Sequence, residues 1–135
     1  MRQNHIAIIC SSEQSLIFYS ALGFTETERR ERGYDTIVWM SDGFTKLEIF
    51  IDPTHPARVD RPEANGLRHL AFDCEHIEQF RETLAEWNPE PIVEKFGKRV
   101  FFVKDPDGCP VEIMEYIPQP PNEKSSSRGI GEAIE

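Results

Sequence analysis

The chain has 135 residues, of which 39% are hydrophobic and 29% charged, a composition typical of a globular protein. Fifteen Lys and Arg against 24 Asp and Glu give a net charge of −9, which argues against nucleic acid or an anionic membrane as a partner. The apolar runs are about five residues long, far below the ~20 needed to cross a bilayer, and no secretory leader pattern opens the chain. Three cysteines without zinc-finger spacing are typical of reduced thiols. We therefore expect a cytoplasmic protein.

The first half of the chain predicts a strand, a helix and two strands. The β-branched run His5–Cys10 predicts the first strand. A helix then follows from an N-cap at Ser11 or Ser12 to a C-terminal Gly23, and its apolar residues recur at helical spacing: Leu16, Ile17, Tyr19 and Leu22. Two further strands, Thr36–Met40 and Lys46–Ile51, are joined by a turn.

The second half repeats this order of elements. Leu67–Cys74 predicts a strand, and Val100–Lys104 and Val111–Tyr116 predict two more. Between them, one face of a helix is marked by Ile77, Phe80, Leu84 and Trp87. A short additional strand is expected around Gly23–Glu28 or Pro91–Lys95. The predicted fold class is therefore α+β.

These elements define the expected domain organisation. Residues 1–117 form a single domain of two modules, 1–52 and 66–117, which a proline-rich loop at residues 53–65 connects. A loop of that length between compact elements is either a linker or a functional lid. The tail at residues 118–135 is rich in proline and serine and is expected to be flexible.

The two halves are related by an offset of 64 residues. His5 falls on His69, and Glu48 falls on Glu112. Other identical pairs are Ala7 with Ala71, Cys10 with Cys74, and Ile49 with Ile113. The strands Thr36–Met40 and Val100–Lys104 are expected to superimpose in phase at the same offset. The sequence therefore indicates a duplicated module that carries one His and one Glu in each copy.

Strand alternation predicts where these side chains point. His5 shares a face with Ala7 and Ile9, and Glu48 lies opposite the apolar face of its strand. Trp39 and Phe102 alternate with other apolar residues and are expected in the core. A single His or Glu on a strand is usually a surface or hydrogen-bonded residue. Two matched pairs instead favour a metal shell for a divalent ion such as Ni, Co, Zn, Mn or Fe.

Several stretches of the chain resemble the vicinal oxygen chelate superfamily, which includes glyoxalase I, bleomycin-resistance proteins and extradiol dioxygenases. The resemblance covers about residues 3–117 and is closest to a bacterial glyoxalase-like group. The stretches that carry it are NHIAIIC, FYSALGF, KLEIF, GLRHLAFD and KDPDGCPVEIMEY.

The resemblance implies two tandem βαβββ modules that form a cupped half-barrel mixed sheet with helices outside. It implies metal ligation by His5, Glu48, His69 and Glu112, and a proton transfer that the two carboxylates can divide. We take Glu112 as the catalytic base and Glu48 as its pseudo-symmetric counterpart. The implied activity is that of a lactoylglutathione lyase-like enzyme, which isomerises the hemithioacetal of a 2-oxoaldehyde such as methylglyoxal through an enediolate. A homodimer is implied, with the site either within one chain or shared between two.

One departure from glyoxalase I concerns the thiol. The Arg that usually follows the first His by four residues and holds glutathione is replaced by Ile9. Arg58, Arg61 and Arg68 are alternative cationic anchors, although each is more often a solvated loop residue. The alternatives are a metal-dependent epimerase, a thiol-transfer antibiotic-resistance enzyme, or a bleomycin-resistance-like protein that binds a drug without catalysis.

Overall fold

A computed structural model describes residues 1–118, and residues 119–135, nearly all of the predicted tail, lie outside the described part. Each half contains four strands and a helix. The first module comprises β1 (Ile6–Cys10), α1 (Gln14–Ala21), β2 (Thr25–Glu31), β3 (Thr36–Ser41) and β4 (Lys46–Ile51). The second comprises β5 (Leu70–Cys74), α2 (Ile77–Thr83), a 3-10 turn (Ala85–Trp87), β6 (Val93–Lys95), β7 (Lys98–Lys104) and β8 (Pro110–Glu115).

Each module folds into its own four-stranded mixed sheet. The strand orders are β1-β4-β3-β2 and β5-β8-β7-β6. In both sheets the first strand pairs in parallel with the last, and the remaining pairs are antiparallel. The additional strands expected after the helices are present as β2 and β6. The α+β fold of paired βαβββ modules is confirmed.

Helix α1 begins at Gln14, later than its candidate caps suggest. One of its predicted core residues, Ile17, faces solvent instead. Ser12 Oγ accepts a hydrogen bond from the backbone N–H of Gln14 at 3.3 Å. Leu16 and Tyr19 are buried as predicted, but Ile17 is 53% exposed and Phe18 takes the buried position. Gly23 ends the helix with φ of +110°, a conformation that a side chain would strain.

The second predicted helix is divided in two. Ile77 and Leu84 are fully buried, and Phe80 and Trp87 pack against the core, so the predicted apolar face is confirmed. The α-helix ends at Thr83, and the 3-10 turn carries the chain on to Trp87. In the described part of the chain, each helix is too short or too polar to cross a bilayer.

The first strands of the two hairpins, β3 and β7, are not in phase at an offset of 64. Val38 and Met40 point into the core in β3, whereas Phe101 and Val103 do so in β7, an offset of 63. Met40 pairs with Leu47, and Val103 pairs with Val111. The second hairpin turn is therefore one residue longer, and the expected superposition of these two strands is wrong by one position.

The two modules share one hydrophobic core. Its buried residues come from both halves, among them Phe18 and Leu47 from the first module and Phe101 and Ile113 from the second. Phe24 contacts Phe72 edge to face with ring centroids 5.7 Å apart. The apolar faces of the sheets and helices are buried in this contact. The opposite sheet faces, which carry the His and Glu residues of the predicted site, therefore point toward solvent.

Polar groups of the β7–β8 turn tie it to the first module. The Tyr19 hydroxyl donates to Asp105 Oδ2 at 2.9 Å, and both residues are buried. Asp107 Oδ2 accepts from the backbone N–H of Ser11 at 3.0 Å. The β7–β8 turn therefore also joins the two modules.

Candidate metal centre

The first His–Glu pair lies on the outer face of the first sheet. His5 immediately precedes β1, and the register pairs Ala7 of β1 with Glu48 of β4. This places His5 and Glu48 on one face because side chains alternate along each strand. His5 Nε2 lies 3.3 Å from Glu48 Oε1, and the side chains are 33% and 19% exposed. His5 Nδ1 lies 2.6 Å from Asn4 Oδ1, which orients the imidazole.

The second module repeats this geometry. Ala71 of β5 pairs with Glu112 of β8, and His69 precedes β5 as His5 precedes β1. His69 Nε2 lies 3.5 Å from Glu112 Oε1. Both side chains are partly buried. The four predicted site residues therefore form two equivalent pairs, here called the first and second half-sites.

An aromatic ring stands beside each histidine. Trp39 contacts the His5 ring edge to face at 4.8 Å between centroids, and Phe102 contacts the His69 ring at 5.4 Å. Each ring is opposite the glutamate in the strand register. Trp39 and Phe102 are partly exposed on the site face, so the expectation that they belong to the core is wrong. Each ring is adjacent in sequence to a buried valine, Val38 or Val103. Strand alternation from these valines could have placed both rings on the opposite, site-bearing face.

The geometry of each half-site fits a divalent metal ion. Two ligand atoms at ~2.1 Å from an ion are about 3.0 Å apart at octahedral angles and about 3.4 Å apart at tetrahedral angles. The separations of 3.3 Å and 3.5 Å agree with this spacing. They exceed the ~2.9 Å typical of an N–H···O hydrogen bond. Imidazole nitrogen and carboxylate oxygen are donors that Zn, Ni, Co, Fe and Mn accept.

The chain does not bring its two half-sites together. Among residues 1–118, no three His, Cys, Asp or Glu side chains are grouped closely enough to hold an ion. Each half-site thus offers two protein ligands, which is fewer than the three or four of a typical protein metal site.

Two cavities flank His69. One, of about 660 Å³, is lined by β1, the β4–β5 loop and the β7–β8 turn, including Ile9, His55 and Cys109. The other, of about 630 Å³, lies over the second half-site and is lined by Phe102, Glu112 and several basic residues; we call it the basic cavity. His69 lines both cavities, so both are adjacent to the second half-site.

The cysteines show no sign of nucleophilic activation. Burial raises the pKa of Cys10 to about 11 and that of Cys74 to about 11. Burial also raises the pKa of Cys109, assisted by the negative charge of Asp105. A thiol with a raised pKa holds little thiolate at neutral pH, so none of the three is primed to act as a nucleophile.

Comparison with known proteins identifies the family. The Glyoxalase/Bleomycin resistance protein/Dioxygenase superfamily matches residues 2–113. The uncharacterized protein YwkD of Bacillus subtilis (strain 168) is 41% identical over 121 residues, which cover 83% of this chain and 94% of YwkD. The crystal structure of the glyoxalase family protein from Enterococcus faecalis is 40% identical, with a TM-score of 0.77, and the match covers 84% of this chain and 97% of that one.

Structures of lower identity share the fold. The fosfomycin resistance protein FosX from Listeria monocytogenes is 13% identical with a TM-score of 0.68, over 87% of this chain and 94% of FosX. A bleomycin-binding protein complexed with bleomycin is 15% identical with a TM-score of 0.61, over 87% of this chain and all (100%) of that chain. The fold is therefore common to a fosfomycin resistance protein and a bleomycin-binding protein. With its paired βαβββ modules and its match over residues 2–113, the chain belongs to the Glyoxalase/Bleomycin resistance protein/Dioxygenase superfamily.

Proposed function

We propose that the protein is a metal-dependent lyase or isomerase of the glyoxalase I type, acting on a small substrate with two neighbouring oxygen atoms. The hemithioacetal of a 2-oxoaldehyde such as methylglyoxal is the substrate class we favour. The observation that carries the proposal is the pair of equivalent half-sites, His5–Glu48 and His69–Glu112, each with its N···O separation at ligand spacing.

We propose further that the working site combines half-sites from two chains. A single chain presents two ligands on each sheet face and groups no three of them within residues 1–118. The first half-site of one chain and the second half-site of another together supply two imidazoles and two carboxylates. A homodimer with two-fold symmetry then contains two such sites, because each chain contributes both halves.

The carboxylates carry the proton chemistry in this proposal. A bound divalent ion would act as a Lewis acid that stabilises negative charge on the substrate oxygens. Glu112 removes the proton from one carbon and returns it to the neighbouring carbon, with Glu48 as its pseudo-symmetric counterpart. Both are only partly buried, at 16% and 19% exposure, so a substrate proton can approach within hydrogen-bond reach. Trp39 and Phe102 restrict water beside the two histidines.

The first test is metal content. Elemental analysis of tag-free protein is expected to give about one divalent ion per chain, as in other closed metal sites. The double variant His5→Ala/His69→Ala is expected to lose the ion, whereas His55→Ala/His76→Ala is the matched control because these two exposed histidines lie outside the half-sites. An absence of metal after reloading with Ni, Co, Zn and Mn would refute the enzyme proposal and favour drug binding without catalysis.

A mixing experiment tests the shared site. One variant carries His5→Ala/Glu48→Ala, and the other carries His69→Ala/Glu112→Ala. In a shared arrangement, each mixed dimer contains one intact site and one that lacks all four ligands. Free exchange then restores about a quarter of the wild-type metal and activity, since half of the dimers are mixed. If each site lies within one chain, the mixture stays as inactive as its components.

A further inference from the structure

Arg58 occupies the boundary between the two cavities beside the second half-site. It belongs to the β4–β5 loop, and like His69 it lines both the cavity next to β1 and the basic cavity. The loop therefore places a guanidinium next to the proposed metal ligand. Neither the proposed metal shell nor the proton transfer uses this side chain.

The Arg58 guanidinium has an unused donor. Its Nη2 donates to the backbone carbonyl of Arg68 at 2.9 Å. Its Nε is buried and has no hydrogen-bond acceptor among residues 1–118. The nearest carboxylate, Glu63 Oε2, lies 3.8 Å from Nη2, beyond hydrogen-bond distance. A buried donor without an acceptor costs about 1–3 kcal/mol, so this guanidinium is a candidate group for binding a ligand.

Other arginines of the described chain show what this group normally does. Arg29, Arg32 and Arg99 each direct Nε and Nη2 side by side onto one carboxylate. Arg81 directs the same two atoms onto neighbouring carbonyl groups, and Arg68 Nε is bonded to Glu63 at 2.9 Å. Arg58 differs because its Nε is buried without an acceptor in the described part of the chain, while 27% of its side chain remains exposed.

The surroundings of Arg58 are less acidic than the chain as a whole. The basic cavity is lined by five cationic side chains and four carboxylates: Arg58, Arg61, Arg68, Lys95 and Lys104, with Asp60, Glu63, Glu90 and Glu112. This lining has one more positive than negative charge, whereas the chain carries a net charge of −9. Glu63 is engaged by Arg68. The cavity therefore opposes an anionic ligand less than the rest of this acidic chain does.

We propose that Arg58 binds an oxyanion group of the substrate, a carboxylate or a phosphoryl group, through its guanidinium. The inference rests on the proposed function, since it places the remainder of the substrate at the second half-site through His69. Arginine is suited to this role because its planar fork matches the geometry of carboxylate and phosphate oxygens. The substrate would then be an anionic compound with neighbouring oxygens, and the anionic anchor would come from the loop rather than from position 9, where Ile9 stands.

The test uses NMR of the ¹⁵N-labelled full chain, without added metal and with Zn²⁺. Acetate and inorganic phosphate are the probes, and chloride at equal ionic strength is the control. The Arg58 Nε–H signal, assigned by its loss in Arg58→Lys, is expected to shift saturably with at least one oxyanion and not with chloride. The tighter binder of the two identifies the carboxylate or the phosphoryl group as the anchor.

Variants separate this site from a general effect of charge. Arg58→Lys keeps the charge but lacks the fork, and we expect it to weaken oxyanion binding about tenfold or more, read from backbone amides near His69. Arg58→Gln should do the same, whereas Arg30→Gln, an exposed arginine on β2, should bind as wild type. Equal shifts with chloride, or unchanged affinity in Arg58→Gln, would overturn the inference.

The outcome is independent of the metal result. Oxyanion binding at Arg58 in a protein that takes up no metal would support the anion site and refute the metalloenzyme proposal. Metal binding without any oxyanion effect on Arg58 would refute the anion site and leave the metalloenzyme proposal standing.

Discussion

The buried contact between Tyr19 and Asp105 gives a quantitative test of how the modules are joined. The Tyr19 hydroxyl donates to Asp105 Oδ2 at 2.9 Å, across 86 residues of sequence. Asp105 Oδ1 accepts from the backbone N–H groups of Asp107 and Cys109, each at 2.9 Å. The substitution Tyr19→Phe removes only the hydroxyl and keeps the ring contacts with Phe18 and Phe24.

The expected loss of stability is large for the removal of a single hydroxyl group. Tyr19 is 0% exposed and Asp105 is 4% exposed, so water cannot replace the lost donor. A hydrogen bond to a charged group contributes ~1.5–3 kcal/mol, and Tyr19→Phe should lower the free energy of unfolding at pH 7 by that amount. For a chain of this length, the corresponding fall in Tm is about 5–15 °C.

The loss should depend on pH. Burial raises the pKa of Asp105 above its ordinary value, and hydrogen bonds from Cys109, Tyr19 and Asp107 oppose that rise. Because the folded pKa exceeds the unfolded one, this group favours folding most at low pH, and its contribution falls as the pH rises through the folded pKa. Removing the Tyr19 hydroxyl raises the pKa of Asp105 further, so the deficit of Tyr19→Phe should grow from acidic to neutral pH.

The assay is urea unfolding followed by circular dichroism at fixed protein concentration, since the proposed dimerisation would shift apparent stability. Tyr34→Phe is the matched control because Tyr34 is 69% exposed, and it should unfold as wild type. A Tyr19→Phe protein within about 0.5 kcal/mol of wild type at pH 7, or a deficit that is the same at every pH, would refute the reasoning.

Three further predictions concern the site and its surroundings. Glu112→Gln should lower turnover of the methylglyoxal hemithioacetal about 10²–10⁴-fold while largely retaining metal by elemental analysis, and a smaller loss than in Glu48→Gln would reverse their roles. Ile9→Arg should lower KM for the glutathione adduct, measured against the adduct of an uncharged thiol; Ile9 is 56% exposed, so the chain should still fold, and an equal effect on both adducts would contradict the assignment. Cys10, with its pKa raised to about 11, should react with iodoacetamide at pH 8 about 100-fold more slowly than an unperturbed thiol, and equal rates in native and urea-unfolded protein would contradict this.

Much of the candidate site could be predicted from the sequence because it depends on local pattern. Strand alternation needs only the next residue along the chain, and it gave the correct face for His5 and Glu48. The duplication at an offset of 64 then supplied His69 and Glu112. The superposition of β3 on β7 at the same offset failed by one position, because the β7–β8 turn contains one additional residue.

The sequence by itself determined the paired βαβββ modules, the partners within each half-site and the family, since these follow from periodicity and from stretches such as GLRHLAFD. Tertiary structure decided the rest. The bond from Tyr19 to Asp105, the rings beside the histidines and the unpaired Nε of Arg58 all depend on residues that are distant in sequence or on a loop without a repeating pattern. The separation of the half-sites within one chain also depends on tertiary structure: the modules bury their apolar faces against each other, and this packing leaves each His–Glu pair facing outward.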